Sequence, residues 1–465
     1  MRTVVAVEPG IDDTIAVKLH KAPGNFPGAR KPLLFDCNPD QMPPWTEAGA
    51  VVHRGRTIYN ELRRHVAIKQ AIEALQRIQP PSRQSLYFYL QEETAERLAW
   101  ETLCDGNDQF FALDRRWPIA RMADSEADMD LPRGDFMPPL RVMAFLSALR
   151  MPAARQWHGL RDAARTARNR GLDVDLVVMV GEEELLREIL AEVAAENLQW
   201  VKKVAAIPTT VADLERCLTT YDPHIVHFYC HGSTAAGVPQ LQLAVITDWD
   251  DDQNTSGSLI VKLHRLLNCP ALLKAWLVTL NCCVGARASN DLQSMAYQIV
   301  AGGVPAAIGM TDPIDATDAH EFASHFYPSL FAHLGDAISE AKRNDQGVEF
   351  EWAPALHPAR SVLCDRYGEP QEFRAWTLPV LYVRPEPFRL RYILPARDLP
   401  SAAALDPVIQ AQVDAVAGVL RALRPDAPSD VRDQLLALLN HVPGQFRPAR
   451  DGTFASAARG FERSS

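Results

Sequence analysis

The chain has 465 residues, 47% hydrophobic and 23% charged, an ordinary globular balance that allows two or three domains and a sizeable core. Its formal net charge of −10 excludes a nucleic-acid-binding surface spread over the whole molecule, though not a local basic patch. No apolar run reaches about 18 residues, and the opening "MRTVVAVEPGIDD" lacks the plan of a secretory signal, so a cytoplasmic protein without a membrane span is expected.

Two short strand candidates, Val4–Val7 and Thr14–Leu19, come first; they either extend a sheet or form a small separate layer. Leu140–Leu146 is a strand candidate, and the stretch after it, "AARQWHGLRDAARTARNRG", reads as an amphipathic helix closed by Gly171. Leu172–Val180 is the next strand, and the Glu-rich stretch after Gly181 the next helix. Val201–Ile207 follows as a strand, and Thr210 is placed to cap the helix "VADLERCL", with Asp213 in its first turn. Ile225–Tyr229, the run Trp276–Leu280 and Val304–Met310 complete the series. Strands separated by helical stretches predict βαβ units, hence a mostly parallel sheet with helices on both faces. After residue 395 two short helices are expected, split by Pro425 and Pro428, then an irregular tail. No internal repeat is visible.

In such a sheet, ligands and catalytic groups gather outside the carboxyl ends of the strands. Two strands here end in reactive residues: "IVHFYCHG" carries His231 before Gly232, and "LVTLNCCVGA" carries Cys282 and Cys283. A cysteine nucleophile needs a base that takes its proton, and imidazole suits that at neutral pH. The separation is 283 − 231 = 52 residues, close to the roughly 50-residue His-to-Cys spacing of caspases, although spacing alone is a weak signal. Side chains alternate along a strand, so Cys282 and Cys283 cannot both face one partner. The eight cysteines lie at irregular positions (37, 104, 217, 230, 269, 282, 283 and 364), which points to a reduced compartment rather than a disulfide framework. There is no C-x-x-C pair to support zinc.

These two segments resemble the CHAT peptidases, a branch of the caspase–separase group of cysteine proteases, whose pattern runs "HF", two residues, "HG", and later "LNAC". The resemblance continues in "LAWETLCDGNDQFFALDRRWPIAR" (98–121), in "AGGVPAAIGMTDPIDATDAHEFASHFYPSLFAHLGDAISEAKR" (301–343) and in "WTLPVLYVRPEPF" (376–388). It implies a caspase-like α/β/α sandwich around a mostly parallel sheet. The expected layout is an N-terminal segment over 1–48, with strands packed on the protease, a CHAT protease domain over 49–392, and a small helical C-terminal extension with an irregular tail over 393–465. Carried over by position, His231 matches the catalytic histidine and Cys283 the nucleophile; Cys282 takes the place of an alanine and is a small core filler. The backbone N–H groups of Gly232 and Cys283 would form the oxyanion hole. His227 is read as structural, and His224, His264 and His320 as without a catalytic role.

The resemblance implies a cysteine endopeptidase that needs no cofactor and cleaves a specific protein partner after activation, in bacterial stress or antiviral defence. The substrate would be a gasdermin-like pore former or another protease, and the trigger a separate sensor protein or a small ligand; neither a membrane nor direct nucleic-acid binding is expected. The alternative is a caspase-like adaptor or scaffold with little activity of its own. The acids of "TDWDDDQNTSG" (Asp248, Asp250, Asp251 and Asp252) read as a solvated loop, a calcium site or a wall of the substrate pocket. The loops 232–240, 247–257 and 311–319 contain no arginine. A basic or uncharged substrate residue is therefore expected at the cleavage site, with Asp248 or Asp312 as the contact.

Overall fold

The computed structural model describes residues 2–11, 14–124, 133–235, 238–250, 257–281, 291–344, 346–393, 407–423 and 428–439. The chain divides into two compact units, Met1–Tyr392 and Ile393–Ser465.

The strands of the first unit are, in chain order, β1 (Arg2–Pro9), β2 (Ile15–Lys21), β3 (Leu33–Phe35), β4 (Ser85–Leu90), β5 (Ile119–Ala123), β6 (Arg133–Phe136), β7 (Leu140–Leu146), β8 (Val174–Val180), β9 (Val201–Ala206), β10 (Ile225–Tyr229), β11 (His231–Ala235), β12 (Val238–Leu243), β13 (Leu259–Lys262), β14 (Leu277–Leu280), β15 (Ala306–Met310), β16 (Val348–Phe350), β17 (Pro379–Val383) and β18 (Phe388–Tyr392). The helices are α1 (Ala50–Arg64), α2 (Val66–Gln76), α3 (Glu93–Glu96), α4 (Ala154–Asn169), α5 (Glu183–Ala195), α6 (Val211–Tyr221), α7 (Leu263–Leu267), α8 (Pro270–Lys274), α9 (Asp291–Ala301), α10 (Ala316–Ala341) and α11 (His357–Asp365).

Twelve strands form one sheet in the order β3-β2-β1-β4-β5-β17-β15-β14-β10-β7-β8-β9. The six strands from β9 to β15 are all parallel. Three of them, β7, β8 and β10, are mostly apolar, as strands buried on both faces require: "LRVMAFL", "VDLVVMV" and "IVHFY" are almost wholly inside. The chain winds outward from β7 through β8 to β9, returns to β10 beside β7, and continues through β14 to β15. The winding therefore reverses between β7 and β10. Right-handed crossovers put α4 and α5 on one face and, after the reversal, α6 and α9 on the other. The long α10 packs along α4.

The other half of the sheet holds β1, β4, β5 and β17, mutually parallel, with β17 joined antiparallel to β15. The two strands expected at the N-terminus thus lie in the main sheet itself, β1 between β4 and β2. Small ladders flank it: β11-β12-β13 and β16-β18-β6. The stretch 232–240, read as a loop, instead holds most of β11 and the start of β12, which pair antiparallel, and β12 also pairs with β13.

Local signals explain the element ends. Gly171 follows α4 at φ +89°, a left-handed conformation that favours glycine, and the amides of Gly171 and Leu172 return to the carbonyls of Arg168 and Ala167. Leu172 is used in that closure, so β8 starts two residues later than the apolar run suggested. Thr210 caps α6 as its position predicted, accepting from the Asp213 amide at 3.2 Å.

In the second unit the described helices are α12 (Pro407–Ala422) and α13 (Ser429–Ala437), which share a small core of Val413, Val416, Leu420 and Leu439.

Candidate functional site

The reversal between β7 and β10 opens a crevice at the carboxyl ends of the parallel strands, the place where ligands bind in sheets of this kind. The loop leaving β7 is fastened there. The Ser147 amide donates to the Tyr229 carbonyl at 2.8 Å, its hydroxyl to the Ala244 carbonyl at 2.6 Å, and the Ala244 amide returns to the Ser147 carbonyl. Gly181, just past β8, must lack a side chain: a Cβ there would lie 2.5 Å from the Ala244 carbonyl oxygen and 2.8 Å from the Ser147 hydroxyl.

The chain leaves β10 through Cys230 and enters the small ladder at His231, paired opposite Gln242, with Gly232 opposite Leu241. His231 is only 2% exposed. Its Nε2 lies 2.8 Å from the Leu149 carbonyl. A carbonyl can only accept, so this contact assigns the proton to Nε2 of the neutral ring and leaves the lone pair on Nδ1. Nδ1 is buried and has no hydrogen-bond partner among the described residues.

The strand β14 runs parallel to β10 and ends beside it. Asn281 donates its amide to the Phe228 carbonyl at 2.9 Å. Its side-chain amide donates to the Ala319 carbonyl at 2.9 Å and to Gln156 Oε1 at 3.3 Å, while Gln156 donates to the same carbonyl at 3.0 Å. Helices α4 and α10 thus clamp the last residue before the two cysteines. Cys282 and Cys283 themselves lie outside the described residues.

Other histidines have structural partners. His227 is wholly buried and its Nδ1 meets the Tyr327 hydroxyl at 2.8 Å. His224 accepts the Arg141 amide at its Nδ1 and lies against Trp276. His320 bonds Pro152 through Nε2 at 3.1 Å. Burial pushes His227 down to about 3, and burial with the nearby Arg141 does the same to His224, against an ordinary 6.5. These rings stay neutral in the fold while their unfolded counterparts charge below 6.5, so the unfolded state binds more protons as pH falls. Stability is therefore expected to be full above pH 6.5 and to fall on acidification toward 3. Urea unfolding at pH 7.5 and 5 should show the loss, and His227→Asn should flatten the slope; an equal slope in both proteins rejects this role for His227.

The two acidic residues expected at the substrate pocket have other partners. Asp248 is buried and its Oδ2 accepts the amides of Val245 and Ser258, both at 2.8 Å. It closes the loop between β12 and β13 rather than forming an open acidic wall. Asp251 and Asp252 lie outside the described residues. Asp312, two residues past β15, accepts from Arg374 Nη1 at 2.6 Å. Among the described residues no group of three or more His, Cys, Asp or Glu side chains could hold a metal ion. The sequence reading missed the Leu149 carbonyl, which has no side-chain signature, and Gln156 and Arg374, which only the fold brings to this edge.

Residues 139–357 match the CHAT domain family. The match takes in β7 through β15, and with them His231, Asn281 and the cysteine pair. No curated protein sequence matches the chain. Among solved structures it is similar to the crystal structure of the Saccharomyces cerevisiae separase–securin complex, at 12% identity and a TM-score of 0.30, over 71% of this chain and 18% of that chain. The chain thus spans about a fifth of that chain's length. No described helix is long and apolar enough to cross a membrane.

Proposed function

We propose that the chain is a cysteine endopeptidase in which Cys283 is the nucleophile and His231 its base. The observation that carries this reading is the buried imidazole at the winding reversal, its Nε2 committed to the Leu149 carbonyl and its Nδ1 left with a lone pair. On this reading Nδ1 takes the thiol proton, and the thiolate sulfur attacks the scissile carbonyl carbon. The oxyanion formed is held by the backbone N–H groups of Gly232 and Cys283. Collapse breaks the C–N bond, and the imidazolium returns its proton to the leaving amine. Water, deprotonated by the same ring, then hydrolyses the thioester. The Leu149 carbonyl, by accepting the Nε2–H, holds the ring orientation through both steps. Asn281, clamped by α4 and α10, fixes where β14 ends and so where the cysteine segment begins.

The substrate is a specific protein partner, and the setting a bacterial stress or antiviral response triggered by a separate sensor protein or small ligand. These points rest on the resemblance to CHAT peptidases alone.

A peptidyl electrophile directed at thiols tests the reading without knowledge of the substrate. It is expected to label the intact protein once, at Cys283, with labelling suppressed in His231→Ala. Labelling confined to Cys282, or none under conditions where free thiols of the unfolded chain react, would sink the assignment.

A further inference from the structure

The edge that carries Asn281 also carries a concentration of positive charge. Strands β14 and β15 are parallel with Thr279 opposite Ile308, so Asn281 and Met310 are level and Asp312 lies just beyond them on the neighbouring strand. The Thr311 amide bonds the Leu378 carbonyl, which brings the turn containing Arg374 to the same place. There the Arg374 guanidinium lies over the Trp45 ring at 4.7 Å from its centroid, and the Arg54 guanidinium lies over the same ring at 4.1 Å. Both distances suit cation–π attraction, but two cations sharing one indole repel each other.

The anions on hand are too few to balance them. Asp312 pairs with Arg374 through Nη1 only, and the remaining N–H groups of Arg374 have no hydrogen-bond partner among the described residues. Arg54 places Nε and Nη2 on the Pro43 carbonyl, which is neutral. Cys37 stands nearby, but burial pushes its thiol up to about 12, so it carries no charge at neutral pH. Glu372 turns its carboxylate to the Gly49 amide at 3.4 Å. The Arg374 and Asp312 side chains are 31% and 30% exposed, so an incoming group can reach them. A second carboxylate would complete the balance, and a guanidinium fork is shaped to receive one in two parallel hydrogen bonds.

We propose that Trp45, Arg54 and Arg374, with Asp312 as internal counter-ion, form a subsite for an acidic side chain of the peptide substrate. The subsite rests on the peptidase reading and gives it a substrate class. It reverses the expectation of a basic or uncharged residue drawn from the loops: the arginines that those loops lack come from α1 and from the turn before β17. A basic side chain entering here would meet two guanidiniums and a carboxylate already paired.

The test is a peptide library offered to the full chain, followed by matched peptides differing only as Asp against Asn at the preferred position. The Asp peptide is expected to be cleaved about 10- to 100-fold better in kcat/KM, the size of one charge-assisted hydrogen bond. Arg374→Gln should collapse that ratio toward one, Arg374→Lys should restore part of it, and Asp312→Asn should raise it by removing the competing carboxylate. The same peptides are also titrated by fluorescence anisotropy against Cys283→Ala protein. Cleavage with a basic or apolar preference that Arg374→Gln leaves unchanged overturns the subsite while the peptidase stands. Arg374-dependent binding of acidic peptides by a chain whose Cys283 fails to react with the peptidyl electrophile supports the subsite and overturns the peptidase. Neither cleavage nor acid-selective binding overturns both.

Discussion

His231→Ala and Cys283→Ala are each expected to lower peptide-bond cleavage by at least about 10³-fold, while Cys282→Ala stays within a few-fold of the parent. The double variant His231→Ala/Cys283→Ala should be no worse than either single one, because a base without its nucleophile, or the reverse, contributes little alone. The prediction joins a described part to a sequence-based one. His231 is fixed by the Leu149 carbonyl at the winding reversal. The choice of Cys283 over Cys282 rests on the "LNCC" register and on strand alternation beyond Asn281. A one-residue error in register would exchange the two cysteines, and kinetics on the three single variants decides it: a dead Cys282→Ala beside an active Cys283→Ala reverses the assignment. If all three cleave normally, the protease reading fails.

How much of this was legible beforehand depends on what kind of signal each part leaves. Strands Leu140–Leu146 and Ile225–Tyr229 fall where the apolar runs put them, because a parallel strand buried on both faces is continuous in sequence. The run Val304–Met310 begins two residues late, at Ala306; Pro305 has no N–H to give a ladder. Strands β11 and β12 fall on a stretch read as a loop, because β12 is held from both sides, by β11 and by β13, through pairings no local pattern encodes. Asp248 read as one acid among several in a solvated run. Its carboxylate accepts two amides, one three residues before it and one ten residues after it, which composition cannot show. His231 was legible from chemistry and context, but its orienting partner is a backbone carbonyl 82 residues away. The Asp312–Arg374 pair spans 62 residues and depends on β17 inserting between β15, to which it runs antiparallel, and β5, a pairing that no local pattern encodes.

The block 98–121 poses a different question, since it contains no catalytic candidate. Its answer lies in the core. Glu101 and Arg121 form an ion pair with both side chains 1% exposed, joined at 2.6 Å and 3.1 Å. Arg121 also donates to the carbonyls of Glu96 and Leu98 and to the Tyr382 hydroxyl on β17, so the pair ties the segment before β5 to the strand that joins the two halves of the sheet. Arg360 lies in the same interior, donating to the carbonyls of Ile119 and Pro379. Burial with Arg121 close by pushes its guanidinium down to about 10, and Glu101 opposes that shift. Glu101 is thus the carboxylate that offsets two buried cations. Breaking a buried pair by removing one partner costs about 3–5 kcal/mol, because the other charge is left without compensation. Glu101→Gln keeps shape and volume and should destabilise the first unit by about that much, seen as a lower denaturant midpoint with an unchanged slope. Arg121→Met should cost less, since it leaves Glu101 near Arg360. The double variant Glu101→Leu/Arg121→Met should recover part of the loss, because two apolar groups of similar size replace two desolvated charges. A Glu101→Gln effect below about 1 kcal/mol would mean that the pair is no more than a surface one in its energetics, and would reject this charge balance as the block's structural role.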